Sequence, residues 1–167
     1  MSAQAAQAVI DSLEFARTGQ SLGGRLPVSA LPRLQDELSD DQGEIRFEVR
    51  GGYDTRRRPI LMVEIRGLLH LRCQRCLGPL DYALELFNTL LLASGVEPGE
   101  PDGEEMESIE ASSALDVAGL VEDEILLSLP YASRHGEGQC PPGAGAAADG
   151  KQGTAFAKLA ALKRNDN

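Results

Sequence analysis

Apolar and polar residues alternate along several stretches of the chain, and this alternation predicts strands. In residues 44–50, Ile45, Phe47 and Val49 alternate with charged side chains, as in a strand with one buried face. The same pattern recurs in residues 60–66, 68–73 and 80–92. Gly67 is predicted to form a bulge or bend between the second and third of these strands. Together the four strands predict an antiparallel β-meander.

Helical spacing of apolar residues predicts three helices. The clearest covers residues 116–129, where Asp116 can cap the first turn and Pro130 ends the helix. A short helix is predicted at residues 29–38, and a small amphipathic helix at residues 154–164 closes the chain. The helices and the meander together predict the α+β fold class.

Glycine, proline and acidic residues mark the predicted turns and loops. We predict a turn at Gly23-Gly24 and a loop over residues 51–58. Residues 97–110 are rich in proline, glycine and acid, which predicts a mobile loop. Residues 136–153 are of low complexity and are interpreted as a linker.

A chain of 167 residues has room for one domain with tails. We predict a single α+β domain over residues 1–140, carrying a C-x-x-C knuckle, and a linker with a short amphipathic helix over residues 141–167. The longest apolar runs fall far short of the roughly 20 residues that a membrane helix needs. The first ten residues lack the positive charge and apolar core of a signal peptide. We therefore expect a cytoplasmic protein with no membrane partner.

Charge is distributed unevenly along a chain whose formal net charge is −10. Residues 44–78 hold eight arginines against four acidic residues, whereas residues 79–139 hold one arginine against fourteen acidic residues. The mean field of the whole chain repels nucleic acid, yet a local arginine patch can still bind RNA. The acidic stretch equally suits a basic protein partner or a solvated surface.

The residues most suited to special chemistry are the cysteines of Cys73-Gln74-Arg75-Cys76. Two thiolates at this spacing can bind one metal ion from a tight knuckle, but they supply only half of a tetrahedral zinc site. His135 and Cys140, five positions apart, can supply the other half. The four residues would form a Cys3His set, which is an accepted set for a structural zinc ion.

Three other interpretations remain open at this point. The thiols can be small core residues, or they can form a redox pair, although no thioredoxin-like pattern surrounds them. His135 can also simply lie in a solvated loop. His70 alternates with leucines in a predicted strand, which favours a role in the sheet over metal binding. No catalytic triad, nucleophile elbow or phosphate-binding loop is recognisable, and we expect a protein that is not an enzyme.

Arg56, Arg57 and Arg58 lie together at a predicted hairpin tip. The guanidinium group suits phosphate because its planar fork can donate two parallel hydrogen bonds. A solubilising turn explains the same run of charge. Tyr53 is the only aromatic residue nearby, which argues against sequence-specific reading of single-stranded RNA.

Four stretches form a pattern along the chain: a leucine-rich segment at residues 26–38, the C-x-R-C segment at residues 71–77, an acidic stretch at residues 115–130 and a closing segment at residues 156–163. In this order they resemble the YceD-like family, known as large ribosomal RNA subunit accumulation proteins. Residues 71–77 carry the C-x-R-C signature, and residues 26–38 resemble an N-terminal element of the family. Residues 115–130 resemble the family's acidic helix ending in Leu-x-Leu-Pro. Residues 156–163 resemble the closing Pro-Phe-Ala-x-Leu-x-x-Leu-Lys, except that Ala155 replaces the usual proline.

The resemblance implies a role in accumulation or processing of 23S ribosomal RNA, and hence in biogenesis of the large subunit. It also places His135 and Cys140 as many relatives do, which favours one structural Zn2+. The expected partners are precursor 23S rRNA, a large-subunit ribosomal protein, or both. The alternative is a zinc- or thiol-dependent RNA-processing enzyme. The residues predicted to contact RNA are Arg56, Arg57, Arg58, Arg72 and Arg75.

Overall fold

The computed structural model describes residues 8–93 and 107–141, and it has an α+β architecture. The elements in chain order are β1 (Val9–Ile10), α1 (Ser12–Thr18), β2 (Ser21–Pro27), β3 (Glu44–Tyr53), β4 (Pro59–Arg72), β5 (Pro79–Ala93), β6 (Ser108–Glu110), β7 (Leu115–Asp116) and α2 (Val117–Ser128).

A five-stranded sheet in the order β2-β3-β4-β5-β6 forms the centre of the described structure. Strands β2 to β5 pair antiparallel with their sequence neighbours, which confirms the predicted meander. β6 adds to the edge of β5 in parallel, so Ser108–Glu110 is a strand and not part of the predicted loop. β1 and β7 form a separate antiparallel pair.

The predicted break at Gly67 is wrong, because β4 runs without interruption from Pro59 to Arg72. Gly67 pairs with Ile45 on one side and with Leu84 on the other. A Cβ atom at Gly67 would lie 2.6 Å from Cδ1 of Ile45. The glycine therefore allows the Ile45 side chain to approach the strand closely, and it does not form a bend.

Two pairs of adjacent glycines also differ from the prediction, because they lie in strands and not in the predicted turn and loop. Gly23 and Gly24 belong to β2, and Gly51 and Gly52 belong to β3. A Cβ atom at Gly51 would lie 2.3 Å from the carbonyl oxygen of Phe15, so this glycine lets α1 pack directly on the strand. The loop between β3 and β4 is accordingly shorter than predicted.

The predicted helix at residues 29–38 is replaced by two short 3-10 turns, Val28–Ala30 and Pro32–Leu34. Leu31 precedes the proline and adopts φ −111° and ψ 84°, outside the helical region. The clash between a proline ring and the preceding residue disfavours α-helical geometry at that residue. Helical spacing of the leucines is satisfied by the two turns, which bury Leu31 and Leu34.

The predicted helix at 116–129 is confirmed as α2, with Asp116 as its N-cap. The Asp116 side chain accepts a hydrogen bond from the backbone N–H of Ala118 at 3.1 Å. The core lies between one face of the sheet and the helices and turns that cover it. Its fully buried residues include Leu26, Leu31, Leu34, Ile45, Leu61, Ile65, Leu69, Leu71, Leu90 and Ile125. The other face of the sheet carries charged side chains.

Several predictions concern residues that the structure does not describe. Of the predicted loop 97–110 and linker 136–153, only residues 107–110 and 136–141 are described. The predicted helix 154–164 lies outside the described residues, and the domain division after residue 140 stays a prediction. Within the described ranges, neither helix has the length and apolar character needed to cross a membrane.

Candidate metal centre

Four side chains from two distant parts of the chain converge at one end of the sheet. The donor atoms of Cys73, Cys76, His135 and Cys140 all lie within 4.8 Å of one another. The sulfur atoms of Cys73 and Cys140 are 3.8 Å apart. Nδ1 of His135 lies 3.3 Å from the sulfur of Cys76 and 3.6 Å from that of Cys140.

These separations fit a tetrahedral zinc ion. With ordinary zinc–ligand bond lengths, two sulfur ligands lie about 3.8 Å apart, and a sulfur and an imidazole nitrogen lie about 3.6 Å apart. Cys73 is fully buried and the other three residues are half-buried. The donor set and its spacing therefore match a structural zinc site, and all four predicted ligands are brought together.

The first half of the site is the turn between β4 and β5. The backbone N–H of Cys73 donates to the carbonyl of Gly78 at 2.9 Å, and the N–H of Leu77 donates to the carbonyl of Cys73 at 2.8 Å. Leu77 takes a left-handed conformation with φ 60°, which closes the turn within two residues of Pro79. The sheet thus holds the two ends of the knuckle in register, one on each strand.

The second half of the site is the segment that follows α2. The backbone N–H of Gln74 donates to the carbonyl of Ser133 at 2.8 Å, which ties this segment to the knuckle. Nε2 of His135 donates to the carbonyl of Pro79 at 2.8 Å. In the neutral imidazole this hydrogen bond places the proton on Nε2 and leaves the Nδ1 lone pair facing the sulfurs, as required of a histidine ligand.

The surroundings of the cluster favour thiolate over thiol at two of its cysteines. Burial acts to raise the pKa of Cys73, but backbone N–H groups of His135, Cys76 and Arg75 outweigh it and lower that pKa to about 5. Burial likewise opposes, but does not overcome, the lowering of the Cys140 pKa by Arg75. Thiolates are the form of cysteine that binds metal ions.

The remaining two members of the cluster have raised pKa values. The backbone of Gly78 acts to lower the pKa of Cys76, but burial and the two neighbouring sulfurs raise it overall. Hydrogen bonding to Cys140, and then to the carbonyl of Pro79, raises the pKa of His135. Repulsion from the neighbouring sulfurs contributes to the raised pKa of Cys76, whereas attraction to thiolate raises the pKa of His135. A cation at the centre of the cluster would favour the deprotonated form of both groups.

Arg75 lies within the metal centre instead of projecting from it. Its Nε atom donates to the sulfur of Cys140 at 3.0 Å, and its Nη2 atom donates to the carbonyl of Gly136 at 3.1 Å. Arg72, at the end of β4, donates from Nη2 to the carbonyl of Leu38 at 3.1 Å. Both arginines were predicted from the sequence to contact RNA, and both make intramolecular hydrogen bonds here.

The other predicted RNA-contacting arginines lie at the opposite end of β4. The carboxylate of Asp54 accepts hydrogen bonds from the backbone N–H groups of Arg56 and Arg58, and it forms an ion pair with the Arg58 side chain at 2.6 Å. A strand of this length extends about 40 Å. The hairpin tip and the knuckle therefore do not form one continuous arginine patch.

Sequence reasoning missed the groups that orient the ligands. The carbonyls of Pro79 and Ser133 are backbone groups, and no pattern of side chains in the sequence predicts that they orient the cluster. One feature of the sequence could have predicted the contact of Arg75 with Cys140, because Arg75 lies between the two cysteines of the C-x-x-C motif.

Comparison with curated proteins finds no match, and comparison with solved structures finds none either. A protein-family profile, described as large ribosomal RNA subunit accumulation protein YceD, matches residues 61–163. The matched segment is more than half of the chain and includes all four residues of the metal centre. The chain therefore belongs to the YceD family of large ribosomal RNA subunit accumulation proteins.

Proposed function

We propose that this protein is a non-catalytic assembly factor that supports accumulation of 23S ribosomal RNA in the cytoplasm. It binds precursor 23S rRNA, a large-subunit ribosomal protein, or both. Membership of the family named for large ribosomal RNA subunit accumulation carries this proposal. The Cys3His cluster, which ties the segment after α2 to the sheet, supports it by supplying a stable scaffold.

We further propose that the cluster holds one structural zinc ion. Structural zinc sites have four protein ligands, whereas catalytic zinc sites keep one position for water or substrate. Here four protein donor atoms lie within 4.8 Å of one another, and His135 is oriented by a backbone carbonyl. When bound, the ion would cross-link the knuckle to the segment after α2.

The alternative function is a zinc- or thiol-dependent RNA-processing enzyme. Three thiols in one cluster are the feature that favours it. A hydrolytic zinc enzyme would need an open coordination position for water. Cleavage of precursor rRNA by the purified protein, lost on chelation and restored by zinc, would establish the enzyme in place of the assembly factor.

Sedimentation tests the proposed function. Tagged protein is separated on a sucrose gradient at low salt, and each fraction is probed for the protein and for precursor 23S rRNA. We expect the protein to sediment with large-subunit precursors and to leave them as salt rises. Nuclease treatment then separates an RNA contact from a ribosomal-protein contact, because only the latter survives it. Recovery solely at the top of the gradient, even after cross-linking, would contradict action on the particle.

A further inference from the structure

Three arginines form a row across the open face of the sheet. Arg25 on β2 lies directly opposite Arg46 on β3, and Arg46 lies directly opposite Arg66 on β4. Neighbouring strands are about 4.8 Å apart, so the row extends about 10 Å across the sheet. The sequence contains all three residues, but only the strand register aligns them.

The arginine row points away from the core. Strand neighbours of these arginines, Leu26, Ile45 and Ile65, are fully buried on the other face. The side chains of Arg25 and Arg66 are 56% and 66% exposed, respectively. The guanidinium groups are therefore accessible to a ligand approaching the open face.

Like charges placed directly opposite one another destabilise a sheet. Carboxylates offset part of this repulsion, since Arg25 pairs with Glu44 at 3.2 Å and Arg66 pairs with Glu64 at 2.7 Å. Within the described residues, no carboxylate forms an ion pair with Arg46, the central member of the row. Among the described residues, a ligand that binds Arg46 therefore has no ion pair of that side chain to break.

An exposed aromatic side chain lies beside the row. Phe87 on β5 is 69% exposed and pairs in register with Glu64. Phe87 is thus the diagonal neighbour of Arg66, at a distance that aromatic and long side chains can span. Together with Glu64 and Glu85, these two residues border a shallow hollow of about 320 Å³.

We propose that the arginine row binds consecutive phosphates of single-stranded RNA, with one base stacked on Phe87. This inference rests on the proposed function and identifies the surface through which RNA is contacted. The planar guanidinium fork can donate two hydrogen bonds to one phosphate, and an exposed aromatic ring stacks on any base. The site lies on the sheet face, apart from both the hairpin tip and the knuckle.

The glutamates on this face limit its positive charge and therefore affect how RNA can bind there. The face also carries Glu44, Glu48, Glu64 and Glu85, so it has no large positive field. Affinity must come from local contacts at the row, and the strongly acidic remainder of the chain repels RNA elsewhere. Contact of this kind is confined to one orientation of the RNA on the protein.

Binding of a labelled single-stranded oligoribonucleotide, measured over a range of salt concentrations, tests the proposal. The test variant combines Arg25→Gln, Arg46→Gln and Arg66→Gln, and the matched control combines Arg56→Gln, Arg57→Gln and Arg58→Gln. Both variants lose three positive charges. We expect the row variant to bind about 10-fold or more weakly, with the slope of log affinity against log salt smaller by about 2. The control should retain most of the affinity.

Two single variants keep the test independent of folding. Arg46→Gln breaks no ion pair among the described residues, so it should stay folded and still reduce both affinity and salt slope. Phe87→Ala should weaken single-strand binding about 5-fold or more without changing the salt slope. Melting curves of each variant verify that the fold is retained.

Different results would overturn different claims. Equal losses of RNA affinity in the row and hairpin variants would show that only overall charge matters, and they would refute the row as a site. Loss in the hairpin variant alone would refute it while leaving RNA binding intact. A row variant that loses a ribosomal protein but keeps RNA would make the face a protein interface. Failure of the wild-type protein to bind this RNA or precursor 23S rRNA would reject RNA contact altogether.

Discussion

Arg33 binds Glu122 twice, across 89 positions of the chain. The backbone N–H of Arg33 donates to one carboxylate oxygen at 2.6 Å, and its Nε donates to the other at 3.0 Å. The Glu122 side chain is only 6% exposed. The 3-10 turn at Pro32–Leu34 is thereby fastened to α2, and Arg33 also reaches Asp123 on the same helix.

Replacing Arg33 with alanine should destabilise the protein by about 2 kcal/mol, because a buried carboxylate loses its charged partner. Urea unfolding at neutral pH measures this loss. Arg17→Ala is the matched control, since Arg17 pairs with Glu14 on the exposed surface of α1 and its loss should leave the urea midpoint nearly unchanged. Equal effects of the two substitutions would contradict a structural role for the Arg33–Glu122 contact.

Protein purified without chelator should contain about one zinc ion per chain, as expected for a Cys3His site. Cys76→Ser should lose the ion and lower the melting temperature by about 10 °C. His70→Ala is the control, because His70 is the other histidine of the chain and bonds Asp40 instead of the cluster. Metal-free protein with undiminished stability would refute the zinc proposal.

Arg75→Ala should weaken zinc retention about 10-fold while leaving all four ligands in place, as is typical for residues that orient metal ligands. The cause is loss of its hydrogen bonds to the sulfur of Cys140 and the carbonyl of Gly136. Competition with a colorimetric chelator measures the change, and Arg134→Ala in the same segment serves as the control. Unaltered retention would show that Arg75 does not support the site.

Two adjacent glycines should respond oppositely to alanine. A Cβ atom at Gly51 would lie within 3 Å of the backbone of α1, so Gly51→Ala should cost about 3 kcal/mol by displacing the helix. At Gly52 the nearest atom is Cε of Met62 at 3.6 Å, and alanine should be neutral or slightly stabilising. Thermal unfolding compares the two, and similar melting temperatures would contradict the packing of α1 on β3.

Glu124 should make stability depend on pH. Burial raises its pKa above the ordinary 4.5, although a hydrogen bond from Asn88 opposes the shift. The folded state thus binds this proton more tightly than the unfolded chain does, so its stabilising contribution is full below pH 4.5 and is lost as pH rises through the raised value. Glu124→Gln should therefore be more stable than wild type at pH 7 and equal to it near pH 4.

Glu85→Gln provides the charge-matched control for that comparison, since Glu85 is exposed on β5. It should leave the free energy of unfolding at pH 7 unchanged. A Glu124→Gln protein that loses stability at pH 7 would show that the carboxylate is needed in its charged form.

Alternation in the sequence predicted β3, β4 and β5 because each has one buried and one exposed face. It failed at glycines, where the reason for the residue lies in another element. The sequence predicted a bend at Gly67 and a loop at Gly51. Each glycine instead makes room for a residue that is distant in the chain but close in the fold. Likewise α1 is only seven residues long, and its stability comes from packing on β3 instead of from its own sequence.

Spacing alone predicted the four residues of the Cys3His cluster, because few ligand types can complete a C-x-x-C half-site. Their orientation was beyond such reasoning, since it depends on the carbonyls of Pro79 and Ser133. The arginine row could not be predicted from the sequence for a similar reason. Arg25, Arg46 and Arg66 are about 20 positions apart, and only strand register shows that they are neighbours.

The separation of the two half-sites has a consequence for the order in which the chain matures. His135 follows Cys76 by 59 positions, and Cys140 follows Cys73 by 67. During synthesis the knuckle therefore emerges well before its partners. Closing a loop of that length costs about 4 kcal/mol of chain entropy, which association of β5 and α2 with the growing sheet can supply beforehand. A zinc ion held by the four residues would then be captured late, and its occupancy would record whether the second half of the domain has folded.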